Sequence, residues 1–165
     1  MLAVIFGLSA SGKNFVSTIL ADRFDFYFCD ADQLLPPTVI NTIHNKQSFT
    51  QEMRDDITFI IIEKIAELKK IHSNIVIAQG LYKNKNRVEI LSAYPDAKFI
   101  YVEATPENIT ARLTSRQNDI DEPYALKISA NFEKPTHPYF LIKNNTDESA
   151  VISQLLELFS IKQIK

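Results

Sequence analysis

The chain has 165 residues, a net charge of −2 and a pI near 5.9; this fits one domain, 1–165, and offers no basic excess for a nucleic acid or an anionic membrane surface. Hydrophobic residues are 45% and charged residues 23%, enough to bury one sizeable core. The single cysteine, Cys29, excludes a disulfide framework and a zinc-cysteine cluster, so a buried, reduced thiol and a cytoplasmic setting are expected.

Leu2 to Phe6 is a short continuous apolar run, as in a strand buried on both faces. "MLAVIFG" has no basic start and no cleavage site, so it reads as a strand and not as a signal peptide. No run of about 18 uninterrupted apolar residues reads as a membrane span. "GLSASGKN" follows, from Gly7 to Asn14. The chain has only three glycines, where roughly a dozen are usual for this length. Two of them, Gly7 and Gly12, stand where a phosphate-binding loop needs them, just before Lys13.

After the loop, Val16, Ile19 and Leu20 recur at helical spacing. "FDFYFCD" reads as a second strand ending in acid, and "ADQLLPP" as a helix start or turn restricted by Pro36 and Pro37. The stretch from Ser48 to Ile71 is the longest helical signal, with Met53, Ile57, Ile61, Ile65 and Leu68 on one stripe and Ser48 with Gln51 as a capping box. "NIVIAQG" is a third strand, "KNKNRVEILSAY" an exposed, partly basic helix, and "KFIYVEA" a fourth strand. In "TPENITARLTSR" Thr105 caps and Pro106 opens a helix. "QNDIDEPY" reads as a loop, "ALKISANF" as a short helix, "YFLIK" as a fifth strand, and the segment up to Phe159 as an amphipathic helix. This alternation predicts an α/β sandwich on a mainly parallel sheet.

Three groups of residues carry candidate chemistry. In the loop Gly7, Leu8, Ser9, Ala10, Ser11, Gly12, Lys13, Asn14 and Phe15, backbone N–H groups at a helix start can surround phosphate oxygens, and Lys13 adds a point charge for the β and γ phosphates. Asn14 stands where serine or threonine normally ligates Mg²⁺; its carbonyl oxygen ligates the cation instead, or it only caps the helix. In "DAD", Asp30 and Asp32 end strand two, where open parallel sheets bind ligands. One acid can hold Mg²⁺ through water and the other can take a proton from an attacking hydroxyl, while capping of the next helix is the other reading for Asp32. The third group is cationic: Arg54, Lys83, Arg87, and Arg112 with Arg116 four residues on, all placed at loop ends, where they suit phosphates or an anionic acceptor.

These stretches resemble the gluconokinase and shikimate kinase group of small P-loop kinases, gluconokinase the more, loosely but over nearly the whole chain, about Leu2 to Phe159. "FGLSASGKN" is similar to the family loop, "DFYFCDADQLLPP" to its second-strand segment, "QSFTQEMRDD" to the stretch with an acceptor-binding arginine, and "IVIAQGLYKNKNR" to the third strand and its basic continuation. "ARLTSR" is similar to the helix leading into a lid, here about 117–131, and "ANFEKP" to the segment after it. The resemblance implies a three-layer α/β/α sandwich with a five-stranded parallel sheet, and an acceptor-binding segment at about 32–72. It implies transfer of the γ-phosphoryl of ATP, with Mg²⁺, to a hydroxyl of a small, usually carboxylated acceptor. Gluconate or a related sugar acid comes first; shikimate, a nucleoside or a nucleotide, or a nucleotide-binding module without catalysis are the alternatives. It makes Asp30 the metal-side acid and Asp32 the acceptor-side acid or base. Lys13, Asp32 and Arg116 are then catalytic, and Arg54, Lys83 and Arg87 meet the acceptor. The chain departs from the family at Asn14, at "QNDIDEPY", where gluconokinases have His-Phe, and at Gly80, which stands alone where shikimate kinases have three glycines.

Overall fold

A computed structural model describes residues 1–115 and 120–160 of the chain. The order is β1 (Leu2–Phe6), α1 (Lys13–Phe24), β2 (Tyr27–Asp30), a 3₁₀ turn (Ala31–Leu34), α2 (Pro37–His44), α3 (Gln51–Leu68), β3 (Ile75–Ala78), α4 (Asn84–Ala93), β4 (Lys98–Glu103), α5 (Pro106–Ser115), α6 (Glu122–Ser129), β5 (Phe140–Lys143) and α7 (Glu148–Ser160). The five strands form one parallel sheet in the order β2-β3-β1-β4-β5.

Alternation along each strand divides the core. Leu2, Val4, Phe6, Ile75, Ile77 and Phe99 face α3 and α4, whose Ile57, Ile61, Ile65 and Ile90 fill that side. Ala3, Ile5, Val76, Ala78, Ile100 and Val102 face Val16, Ile19 and Leu20 of α1 and Val151 and Leu155 of α7. A sheet apolar on both faces must be covered on both, which is the three-layer arrangement. Cys29 is buried among these residues. β1 lies inside the sheet: the chain runs from it to the edge strand β2, returns to β3 beside it, and then crosses to β4 on its other side. The carboxyl ends of β1, β2 and β3 therefore open onto one crevice.

The helix boundaries differ from the sequence expectations in two places. The capping box at Ser48 and Gln51 does not form: Thr50 caps α3, its hydroxyl accepting from the Met53 N–H at 3.2 Å. Pro36 and Pro37, expected at a helix start or turn, do start α2, with Pro37 in the first turn, where the missing N–H costs nothing. α6 begins at Glu122, inside the expected polar loop, because Asp121 accepts from the Tyr124 N–H and caps it.

Candidate active site

The loop between β1 and α1 is shaped by its backbone angles. Gly7 (φ 149°) and Gly12 (φ 99°) take conformations that side chains disfavour, and Ala10 takes φ 61° without being a glycine. A Cβ on Gly12 would lie 1.9 Å from Asn144 Nδ2. That contact shows what holds the loop from behind. Asn144, buried after β5, donates from Nδ2 to the Ser11 carbonyl at 2.9 Å. Arg112 of α5 donates from Nη1 to the carbonyls of Ala10 (3.2 Å) and Ser11 (3.0 Å), and from Nη2 to the carbonyl of Asn144 at 2.8 Å.

Lys13 curls back over the loop, with Nζ donating to the carbonyls of Leu8 at 2.9 Å and Gly7 at 3.3 Å. Ser11 Oγ is buried in the loop with no hydrogen-bond partner. An orphaned hydroxyl and a lysine inside a ring of backbone amides fit a phosphate group. Phe15 lies 41% exposed in the first turn of α1.

Two cavities meet at this point. One, of about 410 Å³, lies over the loop against Ala10, Gly12 and Asn14, with Leu113 at its wall. The other, of about 340 Å³, is formed by α2, α3, the segment after β3 and α6. Lys13, Asp32 and Ser9 line both.

The acids sit at the junction. Asp30 Oδ1 accepts from the Asp32 N–H at 3.1 Å, and Asp30 Oδ2 accepts from Asn14 Nδ2 at 2.7 Å. Asp32 Oδ1 accepts from Gln79 Nε2 at 3.2 Å. Water reaches Asp32, but protein surrounds it closely. Desolvation pushes its pKa above the ordinary carboxylate range and the Asp30 charge adds to this, while Lys13 and the Gln79 hydrogen bond work against it.

The donor set bears on Mg²⁺. Among the described residues no three His, Cys, Asp or Glu side chains converge, so a cation here takes most of its oxygens from phosphates and water, as Mg²⁺ commonly does. Asp30 and Asp32 fit as holders of that water. Asn14 fits less directly. A carboxylate only accepts, so the Asn14 amide turns its NH₂ to Asp30, which leaves its oxygen on the other side.

The cations separate. Arg54 of α3 lines the 340 Å³ cavity, its guanidinium 5.5 Å from the Phe49 ring centroid and 5.9 Å from that of Tyr82. Lys83 and Arg87 do not line it. Lys83 pairs with Glu133 at 3.1 Å. Arg87 is fully buried; it donates to the carbonyls of Leu81 and Glu133 and to Asn84 Oδ1, and lies 4.9 Å from the Phe6 centroid. Burial lowers its pKa to about 10. Lys83 and Arg87, expected to meet the acceptor, here have other partners: Lys83 has the carboxylate of Glu133, and Arg87 has two carbonyls and the Asn84 amide oxygen. Arg112 faces the back of the loop. Arg116, with the 117–119 part of the expected lid, lies outside the described residues.

Arg87 still acts on the site at one remove. Leu81 holds φ 44°, a strained value for a leucine. Its carbonyl is fixed by Arg87 and its N–H by Gln79 Oε1 at 2.7 Å, and the same Gln79 side chain reaches Asp32. Sequence reasoning did not single out Gln79, Tyr82, Phe49 or Asn144. Gln79 and Asn144 had one visible signal, a carboxamide just past the carboxyl end of a strand. Tyr82 and Phe49 had none, since an aromatic beside an apolar run reads as core.

Comparison with known proteins agrees with this geometry. The family model for shikimate kinase matches residues 9–157. A gluconokinase from Gluconobacter oxydans (strain 621H) is 23% identical over 160 residues, covering 94% of this chain and 89% of its own. Two crystal structures share the fold. A sugar kinase from Janibacter sp. HTCC2649 superposes with a TM-score of 0.82 at 21% identity, covering 97% of this chain and 94% of its own. A gluconokinase from Sinorhizobium meliloti 1021 gives 0.81 at 18% identity, covering 98% and 93%.

Proposed function

The chain belongs to the shikimate kinase family and is a small-molecule kinase, and we propose that it moves the γ-phosphoryl group of ATP to a hydroxyl of a small anionic acceptor. The observation that carries this reading is the pair of cavities joined at Lys13 and Asp32. A transfer enzyme must bring donor and acceptor to one point, and a single charged junction between two chambers does so.

In this reading the loop from Gly7 to Phe15 holds the triphosphate. Lys13 releases the Leu8 carbonyl and takes the β and γ phosphates. Arg112 and Asn144 keep the loop's shape. Asp32, its basicity raised by desolvation, accepts the proton of the acceptor hydroxyl. The oxygen so freed bonds to the γ-phosphorus, the bond to the β,γ-bridging oxygen breaks, and its electron pair leaves on ADP. Asp30 would hold Mg²⁺ through water, and the ion would neutralise charge on the phosphates. Arg116 remains a proposed contributor to phosphate charge. Gluconate, named for two of the similar proteins, is the first acceptor to test.

One observation favours a second reading, a nucleotide-binding module without turnover: the Asn14 amide already occupies Asp30. Acceptor-dependent ADP release separates the two. The kinase reading expects turnover that falls about 100-fold or more in Asp32→Asn, in the range for loss of a general base, with ATP affinity kept within a few-fold. ATP binding without ADP release on any acceptor of a broad panel would favour the module.

A further inference from the structure

The 340 Å³ cavity has a chemistry of its own. Leu35, Ile40, Ile43, Phe49, Ile57 and Ile128 line it together with Asp32 and Arg54, and none of these six apolar residues can form a hydrogen bond through its side chain. Most polar side chains in the wall are already engaged. Thr58 Oγ1 donates to the Arg54 carbonyl at 2.7 Å and accepts from Asn86 Nδ2 at 2.9 Å. The Asn86 amide is further taken by Asp55 and Gln51. Gln79 is held by Asp32 and the Leu81 N–H. Tyr82 Oη meets the Ser9 N–H at 3.1 Å, and Tyr124 Oη donates to the Gln47 carbonyl at 2.8 Å. Tyr82 Oη also meets Ser9 Oγ at 3.4 Å, so Tyr124 Oη keeps the clearer room for one more bond, enough for about one hydroxyl.

Arg54 is the exception. Among the described residues its guanidinium has no hydrogen bond and no ion pair; it lies against the Phe49 and Tyr82 rings. Burial lowers its pKa, with the nearby Tyr82 and Glu133 working the other way. A desolvated charge without a counter-ion asks for an anion, and its planar fork suits a carboxylate.

We propose that the anionic acceptor which the kinase reading sets between Arg54 and Asp32 has a hydrocarbon body and few hydroxyls besides the reacting one. This rests on the kinase reading and narrows its acceptor. Gluconate places five hydroxyls in such a chamber. Each one left without a partner lowers affinity by about tenfold or more. A body with methyl or methylene groups meets the isoleucines instead.

Calorimetric titration in the presence of a non-hydrolysable ATP analogue tests the proposal. The probes are mevalonate and pantoate, two-hydroxyl acids with branched hydrocarbon bodies, against gluconate, shikimate and adenosine 5′-monophosphate. At least one of the two hydrocarbon acids binds about tenfold or more tighter than gluconate. Arg54→Ala weakens it by about one to two powers of ten, and Arg54→Lys recovers only part of the loss. The exposed-side change Ile40→Asn shifts the balance toward gluconate. Gluconate or the nucleotide binding as tightly as the hydrocarbon acids, or no binding of either hydrocarbon acid, overturns the proposal. A failure of the kinase reading shows separately, as no binding of the ATP analogue itself before any acceptor is added.

Discussion

Asp32, the proposed base, works against its own fold. Desolvation raises its pKa in the folded chain, so the folded state prefers the protonated form. The stability tied to that preference is fully present below the unfolded-state pKa and is lost as pH rises through the folded one. At neutral pH the ionised group is therefore a cost, and Asp32→Asn is expected to raise the melting temperature while removing turnover. In the unchanged protein, kcat should fall as pH drops through a value above the ordinary carboxylate range, because the base is lost there. A lower melting temperature in Asp32→Asn, or a kcat flat across that acid limb, would show that the carboxylate is structural. Asn14 gives a second prediction at this scale. Replacing its amide by a hydroxyl removes the N–H from Asp30 and restores an oxygen ligand, so Asn14→Ser should lower the Mg²⁺ concentration needed for half-maximal turnover. An unchanged Mg²⁺ titration would mean that Asn14 serves only the start of α1.

Among the elements, the N-terminus of α4 holds an arginine whose partners the sequence does not reveal. Basic residues after β3 look like acceptor ligands in the sequence, since nothing in "KNKNR" tells a ligand from a brace. The difference lies in three carbonyl and amide oxygens supplied by residues 81, 84 and 133, which are distant from one another in pattern if not in space. Arg87→Met keeps most of the buried stem but leaves those oxygens unpaired, at an expected cost of about 2–4 kcal/mol. It should also weaken acceptor binding more than ATP binding, because the Leu81 turn and Gln79 depend on it. Equal stability of the variant in a urea titration would contradict this. Thr50 in place of Ser48 as the α3 cap is a two-residue error of the ordinary kind, since both residue types suit the position.

For the whole molecule, the sheet and its layers were legible because buried strands are continuous apolar runs and their helices carry 3.6-residue stripes. The loop was legible because a chain with three glycines placed two of them there. The acceptor chamber was not. Ile40, Ile43 and Ile57 repeat at core-like spacing, and a cavity wall has the same pattern as a core until its other side proves empty. The clamp of Arg112 and Asn144 was equally invisible, being built from residues 32 positions apart. What ties the layers to chemistry is the claim that the Gly7–Asn14 loop holds a triphosphate with Lys13 as its charge. Calorimetric titration of ATP into the wild type and Lys13→Ala tests this most directly. Lys13 is surface-reached and contributes little to either core, so the variant should keep its melting temperature. It should lose one charge-assisted contact or more, worth about 1.5–3 kcal/mol, or about one to two powers of ten in affinity. Equal ATP affinity in the two proteins, with both folded, would contradict the account.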